Sequence, residues 1–258
     1  MVWQVDLKGK TIVVTGGNRG IGLAISEQVA QAGAHVAIIY RSSKDAPEVA
    51  KKISEKYGVH CEAYQANVAD QQAITDLFKK IYFDVGPIGG VVCNAGINYK
   101  KDALEYTKED FDNHFGPNVW GVFTCAQAAQ RLWKEHDYKN GRIVFVSSVS
   151  GTIANKGEVQ AFYNPTKAAI NSLAKTLAME WAPYGTLVNV LSPGYVLTDM
   201  NSNLRDDKGL REKVASDVML NRISEPYEQA GTVVFFLSDY ASYITGTQLI
   251  VDGGLHHW

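Results

Sequence analysis

Two periodicities alternate along this chain. Continuous apolar, β-branched runs recur at TIVVTG (11–16), HVAIIY (35–40), CEAYQANV (61–68), IGGVVCNAG (88–96), GRIVFVSS (141–148), TLVNVLSPG (186–194) and TQLIVDGG (247–254), and they read as seven strands. Most lack the in/out alternation of a half-exposed strand, as expected for strands covered on both faces. Between them the pattern changes to helical spacing. Ile21, Ile25 and Val29 mark one helix face, which Gly33 closes, and Ala169–Trp181 is another stretch of helical length. Strand-helix-strand repetition requires right-handed crossovers and gives a parallel sheet with helices on both faces. The expectation is a doubly wound α/β fold. Its ligands bind beyond the carboxyl ends of the strands, so the chemistry is sought where each strand stops.

The 258 residues suffice for one large core, and a single domain spanning 1–258 is expected. A formal charge of −2 offers no footprint for nucleic acid or a membrane surface. No apolar run is long enough to span a bilayer, and MVWQVDLKGK lacks the apolar centre of a secretion signal, so a cytoplasmic protein is expected. The three cysteines, Cys61, Cys93 and Cys125, have no metal-like spacing and read as buried thiols, and no metal site is expected. His256 and His257 read as a frayed or interface tail rather than a ligand pair.

The first strand runs into TGGNRGIG (15–22). Gly16, Gly20 and Gly22, with Asn18, Arg19 and Ile21 between them, suit a tight turn whose backbone approaches a pyrophosphate, although such a turn alone also serves structure only. The second strand ends in Tyr40, Arg41, Ser42 and Ser43, where a fold selective for NAD often has an acid for the ribose hydroxyls. Arg41 and Ser42, with Arg19 from the neighbouring loop and no acid to repel an anion, fit a 2′-phosphate, and the cofactor expected is NADP. Asn67 and Val68 follow the third strand, where an amide suits an adenine edge. Asn94, Ala95 and Gly96 form a small-residue turn beside the ribose. The fifth strand ends in SSVSG (147–151), and the sixth in SPGYVLTDM (192–200), with Pro193, Gly194, Val196 and Thr198. Tyr163 and Lys167 lie four apart and share a helix face. Such a pair is commonly an ordinary surface pair, and Pro165 between them demands a first turn or a local distortion.

In this order TGGNRGIG, NAG, the serine-bearing fifth strand, YNPTK and SPGYVLT resemble the short-chain dehydrogenase/reductase family along nearly the whole chain. The resemblance implies a Rossmann fold, hydride transfer between a nicotinamide cofactor and an alcohol/carbonyl pair, and a homodimer or homotetramer. It implies catalytic roles for Ser148, Tyr163 and Lys167, with Asn118 as the fourth residue, holding a water that links Lys167 to solvent. Ser148 is preferred to Ser147 because the family pattern is Ser-x-x-Gly, ending here at Gly151. Three departures stand out. The Ser148–Tyr163 separation is long, Cys93 stands where a second Asn is common, and Pro117 precedes Asn118.

The implied chemistry gives Tyr163 the proton and Ser148 the carbonyl oxygen, with Lys167 on the nicotinamide ribose. An ammonium about 4 Å from the phenol is expected to lower its pKa by about 3 units before desolvation opposes it. The stretch from SGTIANK to LAMEWAP resembles the branch containing fungal mannitol, arabinitol and sorbose enzymes, implying a polyol/ketose substrate. Ser150, Asn155, Gln160, Asn201 and Asn203 are candidate lining groups for it. The rival is a reductase of hydrophobic ketones or 3-ketoacyl thioesters, for which Tyr99, Trp120, Val159, Tyr195 and Met200 are the candidates. A non-catalytic NADP(H) sensor is a further alternative, against which Tyr163 and Lys167 both speak.

Overall fold

A computed structural model describes residues 5–257 of the chain. Seven parallel strands form one sheet in the order β3-β2-β1-β4-β5-β6-β7. They are β1 (Thr11–Thr15), β2 (His35–Tyr40), β3 (Cys61–Gln65), β4 (Ile88–Cys93), β5 (Arg142–Val146), β6 (Leu187–Pro193) and β7 (Gln248–Val251). The order reverses between β1 and β4, which opens a crevice at their carboxyl ends. Every strand expected from the sequence is present. Most are shorter than their apolar runs; β3 stops at Gln65, because Ala66 already turns away after bonding back to Tyr40 O.

The helices are α1 (Gly20–Gln31), α2 (Ala46–Tyr57), α3 (Gln71–Asp84), α4 (Lys108–Phe115), α5 (Gly121–Glu135), α6 (Tyr163–Trp181), α7 (Ser202–Asp206), α8 (Lys208–Ala215) and α9 (Pro226–Leu237). Alternate residues of each strand feed two cores, as a two-residue period requires. Ile12 and Val14 of β1 join Ile25 and Val29 of α1 and Val233 and Leu237 of α9. Val13 and Phe145 face the other way, toward Phe78 of α3, Val122 of α5 and Ile170 of α6. Pro165 lies in the first turn of α6, where its missing N–H costs nothing, so the helix begins at Tyr163. The polar segment after β6 folds as the two short helices α7 and α8. All three cysteines are buried and unbridged. His256 is tied down, its Nδ1 lying 2.6 Å from Asp252 Oδ2, which corrects the expectation of a frayed tail. No helix among the described residues is long and apolar enough to cross a membrane.

Candidate active site

The turn after β1 is built on backbone that only glycine tolerates. Gly16 and Gly20 have φ of +65° and +53°. A Cβ on Gly22 would lie 2.1 Å from Gly16 O and 2.5 Å from Asn94 Nδ2. That amide is itself engaged: Asn94 Nδ2 donates to Thr15 O at 2.9 Å, while Thr15 Oγ1 accepts from Asn94 N and Ala95 N at 3.0 and 2.9 Å. The ends of β1 and β4 are thereby locked together at the crevice. α1 begins after Arg19 with no side-chain cap, so its first N–H groups are left for a ligand. Asn18 is buried and its Nδ2 has no partner. An uncapped helix start, an unpaired buried donor and a glycine cradle together fit a pyrophosphate.

A cleft of about 480 Å³ opens over this turn. Gly16, Asn18, Arg19, Gly20, Ile21, Gly22, Tyr40, Arg41, Ser42, Asn67, Val68, Asn94, Ala95, Gly96 and Thr198 line it, as the strand ends implied. Arg19 and Arg41 are exposed at its rim. Asn67 Oδ1 accepts from Ala69 N at 3.1 Å, which orients its amide. One acid that strand-end reading does not find, Asp199, also lines the cleft; Arg205 of α7 pairs with it at 2.7 Å.

Next to the cleft, and sharing Ile21, Asn94, Gly96, Asn98, Thr198 and Met200 with it, lies a pocket of about 110 Å³. Ser148, Tyr163, Lys167, Pro193, Gly194 and Val196 belong to this wall. The two candidate serines point differently. Ser147 Oγ donates to Lys167 O at 3.1 Å and is spent on α6, whereas Ser148 hydrogen-bonds the Tyr163 phenol. Lys167 is buried and donates through Nζ to Val146 O at 3.0 Å.

At this corner the opposing desolvation is the larger effect on the tyrosine. Burial pushes the Tyr163 phenol up to about 12, opposed only by the Ser148 hydrogen bond. Burial also brings Lys167 down to about 8. The ammonium lies 5.6 Å from the Tyr163 ring centre and is turned to a carbonyl, so desolvation outweighs its attraction for the phenolate.

Asn118 lies in a π-helical turn, Gly116–Trp120, that Pro117 opens. Its side chain clamps the segment after β4: Oδ1 accepts from Ile97 N at 2.8 Å and Nδ2 donates to Ile97 O at 2.9 Å. A third contact runs from Nδ2 to Thr166 Oγ1 at 3.2 Å. Both amide donors are thereby occupied by protein groups, while Oδ1 keeps a second lone pair for the water inferred from resemblance. Gly96 keeps space beside Lys167, since a Cβ there would come within 3.2 Å of Asn118 Oδ1 and 3.5 Å of Lys167 Nζ.

Of the polar lining candidates, Ser150, Asn155, Gln160 and Asn201 reach the pocket and Asn203 does not. Of the apolar set, Tyr195 and Met200 reach it. Tyr99 instead stacks at 4.0 Å on the buried His114, and Trp120 and Val159 are exposed. Asn98 is a lining residue that sequence reading misses; it lies two positions beyond the Asn94-Ala95-Gly96 turn. No group of three or more His, Cys, Asp or Glu side chains suited to a metal converges among the described residues.

A crevice at the sheet's switch point, a glycine turn fitted to a pyrophosphate and an adjoining Ser/Tyr/Lys corner define a nucleotide-dependent oxidoreductase. A family model described as enoyl-(acyl carrier protein) reductase matches residues 16–256. A sorbose reductase of Candida albicans is 39% identical over 252 residues, covering 96% of this chain and 88% of its own. A 3-oxoacyl-[acyl-carrier-protein] reductase of Aquifex aeolicus is 38% identical over 252 residues, covering 98% of this chain and 99% of its own. The crystal structure of a short-chain type dehydrogenase/reductase from Mycobacterium marinum matches with a TM-score of 0.90 at 34% identity, over 98% of both chains. The chain belongs to the short-chain dehydrogenase/reductase family, and it is an NAD(P)-dependent dehydrogenase acting on a small molecule.

Proposed function

We propose that this protein is an NADP(H)-dependent oxidoreductase interconverting a sugar alcohol and a ketose. The observation that carries the substrate class is the set of polar side chains in the pocket wall, Ser150, Asn155, Gln160 and Asn201, which stand among the apolar Ile21, Val149, Val196 and Met200. A polyol requires such partners, because each hydroxyl buried without one costs about 1–3 kcal/mol. The similarity to a sorbose reductase supports the same reading. In the presence of NADPH, fructose or sorbose is expected to be reduced, followed at 340 nm. Inert ketoses beside efficient turnover of a hydrophobic ketone or an acetoacetyl thioester would overturn the substrate class and leave the NADPH reductase standing.

Arg19 and Arg41 at the rim, with Tyr40 in place of an acid, support NADP over NAD. Removing one charge-assisted phosphate contact weakens binding roughly ten- to a hundredfold. Arg41→Ala is expected to raise the KM for NADPH by that factor while leaving the KM for NADH nearly unchanged. Equal changes for both cofactors would refute the assignment.

When bound, the nicotinamide supplies or accepts the hydride. Tyr163 gives its proton to the carbonyl oxygen in reduction and takes it back in oxidation. Ser148, whose single O–H points to Ser150 Oγ at 3.1 Å, turns it to the carbonyl oxygen as charge develops there. Lys167 holds the nicotinamide ribose and, as an ammonium, favours the phenolate once the proton has left. Asn118 fixes the segment that carries Asn98 and holds a water that links Lys167 to solvent. The whole chain, 1–258, acts as one domain in the cytoplasm and assembles as a homodimer or homotetramer; the exposed Met179, Tyr243 and Leu249 are available for such contacts.

The pH dependence follows from the two perturbed groups. Tyr163, pushed up to about 12, stays protonated as an acid through the neutral range. Lys167, brought down to about 8, loses its charge as pH rises through that value in the free enzyme. The kcat/KM for ketose reduction, which reports the free enzyme, is expected to be level below about pH 8 and to fall above it. A profile level to pH 10 would show that Lys167 keeps its proton.

A further inference from the structure

Tyr163, the proposed proton donor, is the first residue of α6, and helix ends fray. Phe162, the residue before it, provides no side-chain cap for the helix. Pro165 brings no N–H to the first turn. The chain reaches α6 through residues 152–162, which hold turns but no helix or strand. Asn164 bonds back into that stretch, from N to Gln160 O and from Nδ2 to Ile153 O, both at 3.2 Å. The stretch is itself tied further out, where Glu158 forms an ion pair with Lys100 and Asn155 hydrogen-bonds the Tyr195 phenol. Inside α6 the anchoring resumes. Asn118 Nδ2 donates to Thr166 Oγ1 at 3.2 Å, and Ser147 Oγ to Lys167 O at 3.1 Å. Between these two sets of ties stands Phe162.

Its ring is set in a group of aromatic side chains outside both main cores. Between ring centres, Tyr106 is 4.5 Å away, Phe111 5.7 Å, the buried His114 6.1 Å and Phe115 6.4 Å. The last three meet it edge to face, a geometry that the ring quadrupole favours. They share α4, where Phe111 and Phe115 stack at 4.1 Å. Thr107 and Asp110 close a capping box at the start of α4, and Asp110 also accepts from Tyr99 Oη at 2.9 Å and Lys101 Nζ at 2.8 Å. The helix that grips Phe162 is thus well capped, while the helix that carries Tyr163 is not. Misplacing a reacting group by about 1 Å costs about a hundredfold in rate, so this grip has a catalytic consequence. We infer that Phe162 is a positioning residue: its ring, clasped by Tyr106 and α4, does the work of the missing helix cap and fixes the Tyr163 phenol for proton transfer. This rests on the proton-transfer role proposed for Tyr163 and is independent of which carbonyl compound is reduced.

The test compares Phe162→Ala, Phe162→Leu and Phe162→Tyr with the wild type and Tyr163→Phe. NADPH is the reductant, and fructose, sorbose, 2-hexanone and an acetoacetyl thioester are the substrates. In Phe162→Ala, kcat is expected to fall about ten- to a hundredfold, with KM and the NADPH dissociation constant within about twofold of wild type. The solvent deuterium isotope effect on kcat should rise, because delivery of the phenolic proton becomes the slower step; a loss of stability alone would not raise it. Phe162→Tyr keeps the ring and should restore kcat, and Phe162→Leu should fall between. Tyr106→Leu is expected to lower kcat in the same way and to add little in the Phe162→Ala background, since contacts within one unit are not additive. Hydrogen exchange without substrate should be faster at residues 159–168 in Phe162→Ala, while β1 and α1 keep wild-type rates. Wild-type kcat or wild-type exchange in Phe162→Ala, beside an inactive Tyr163→Phe, would overturn the positioning role and leave Tyr163 as the donor. An active Tyr163→Phe would remove the donor and this inference with it. Loss of kcat, KM and NADPH affinity together, without rescue by Phe162→Tyr, would reduce the ring to packing alone and also overturn it. Should Phe162→Ala fail to fold, Phe162→Leu and Tyr106→Leu carry the same comparisons.

Discussion

Tyr163→Phe is expected to leave a folded protein that binds NADPH normally and turns over almost nothing. The change deletes one buried oxygen and its hydrogen bond to Ser148, with the ring and its packing retained. Positioned acid–base groups contribute roughly 100- to 10,000-fold to rate, and kcat is expected to fall within that range. The nucleotide cleft is lined by other residues, so the NADPH dissociation constant, followed by tryptophan fluorescence, should change little. Lys167→Ala is expected to behave differently, losing both turnover and cofactor affinity, because its Nζ, anchored on Val146 O at the β5 end, is the group proposed to hold the ribose. A folded Tyr163→Phe protein with substantial ketose reduction would remove the phenol from the mechanism.

Gly22→Ala is the second substitution with a large effect, and it acts on stability and nucleotide affinity together. The added methyl would meet a backbone oxygen at 2.1 Å and the Asn94 amide at 2.5 Å. Neither can swing away: the oxygen belongs to the turn itself, and the amide bridges the ends of β1 and β4. Overpacking of this kind costs about 1–3 kcal/mol, and each kcal/mol lowers Tm by about 2–4 °C in a chain of this size. Tm is therefore expected to drop by several degrees, and NADPH affinity by at least tenfold as the turn is pushed out of register. Gly209→Ala in α8 is the control, since its Cβ meets only Asp207 Oδ1 at an ordinary 3.4 Å. Unchanged Tm and affinity in Gly22→Ala would mean that the turn is slack.

The sequence made the sheet legible because strands buried on both faces are written as uninterrupted apolar runs. What it did not mark is where the ladder stops. The run through Cys61–Val68 continues past Gln65, and only pairing with β2 ends the strand there. The start of α6 was obscured by Pro165, whose first-turn position is known only once the helix is placed. At the site, glycine spacing and the Tyr/Lys interval carried most of the information, since both are local. Asn98 was illegible because nothing near it in sequence says that the segment after β4 closes back on the loop before α6. The balance between ammonium and desolvation was illegible for a related reason. Tyr163 and Lys167 are four residues apart, but the direction of the Lys167 side chain is decided by Val146, on another element.

The two halves of the site are written in different materials. The cleft proposed for the nucleotide is lined largely by glycines and strand ends, which are fixed by the sheet itself. The pocket proposed for the substrate adds amide side chains from two segments outside the sheet, which Lys100 and Glu158 join by an ion pair. Exchanging those amides for aliphatic groups leaves every strand, the glycine turn and the Ser/Tyr/Lys corner in place. The protein is for that reason a favourable starting point for directed evolution toward unhydroxylated ketones, with libraries confined to Asn155 and Gln160, which lie outside the nucleotide cleft.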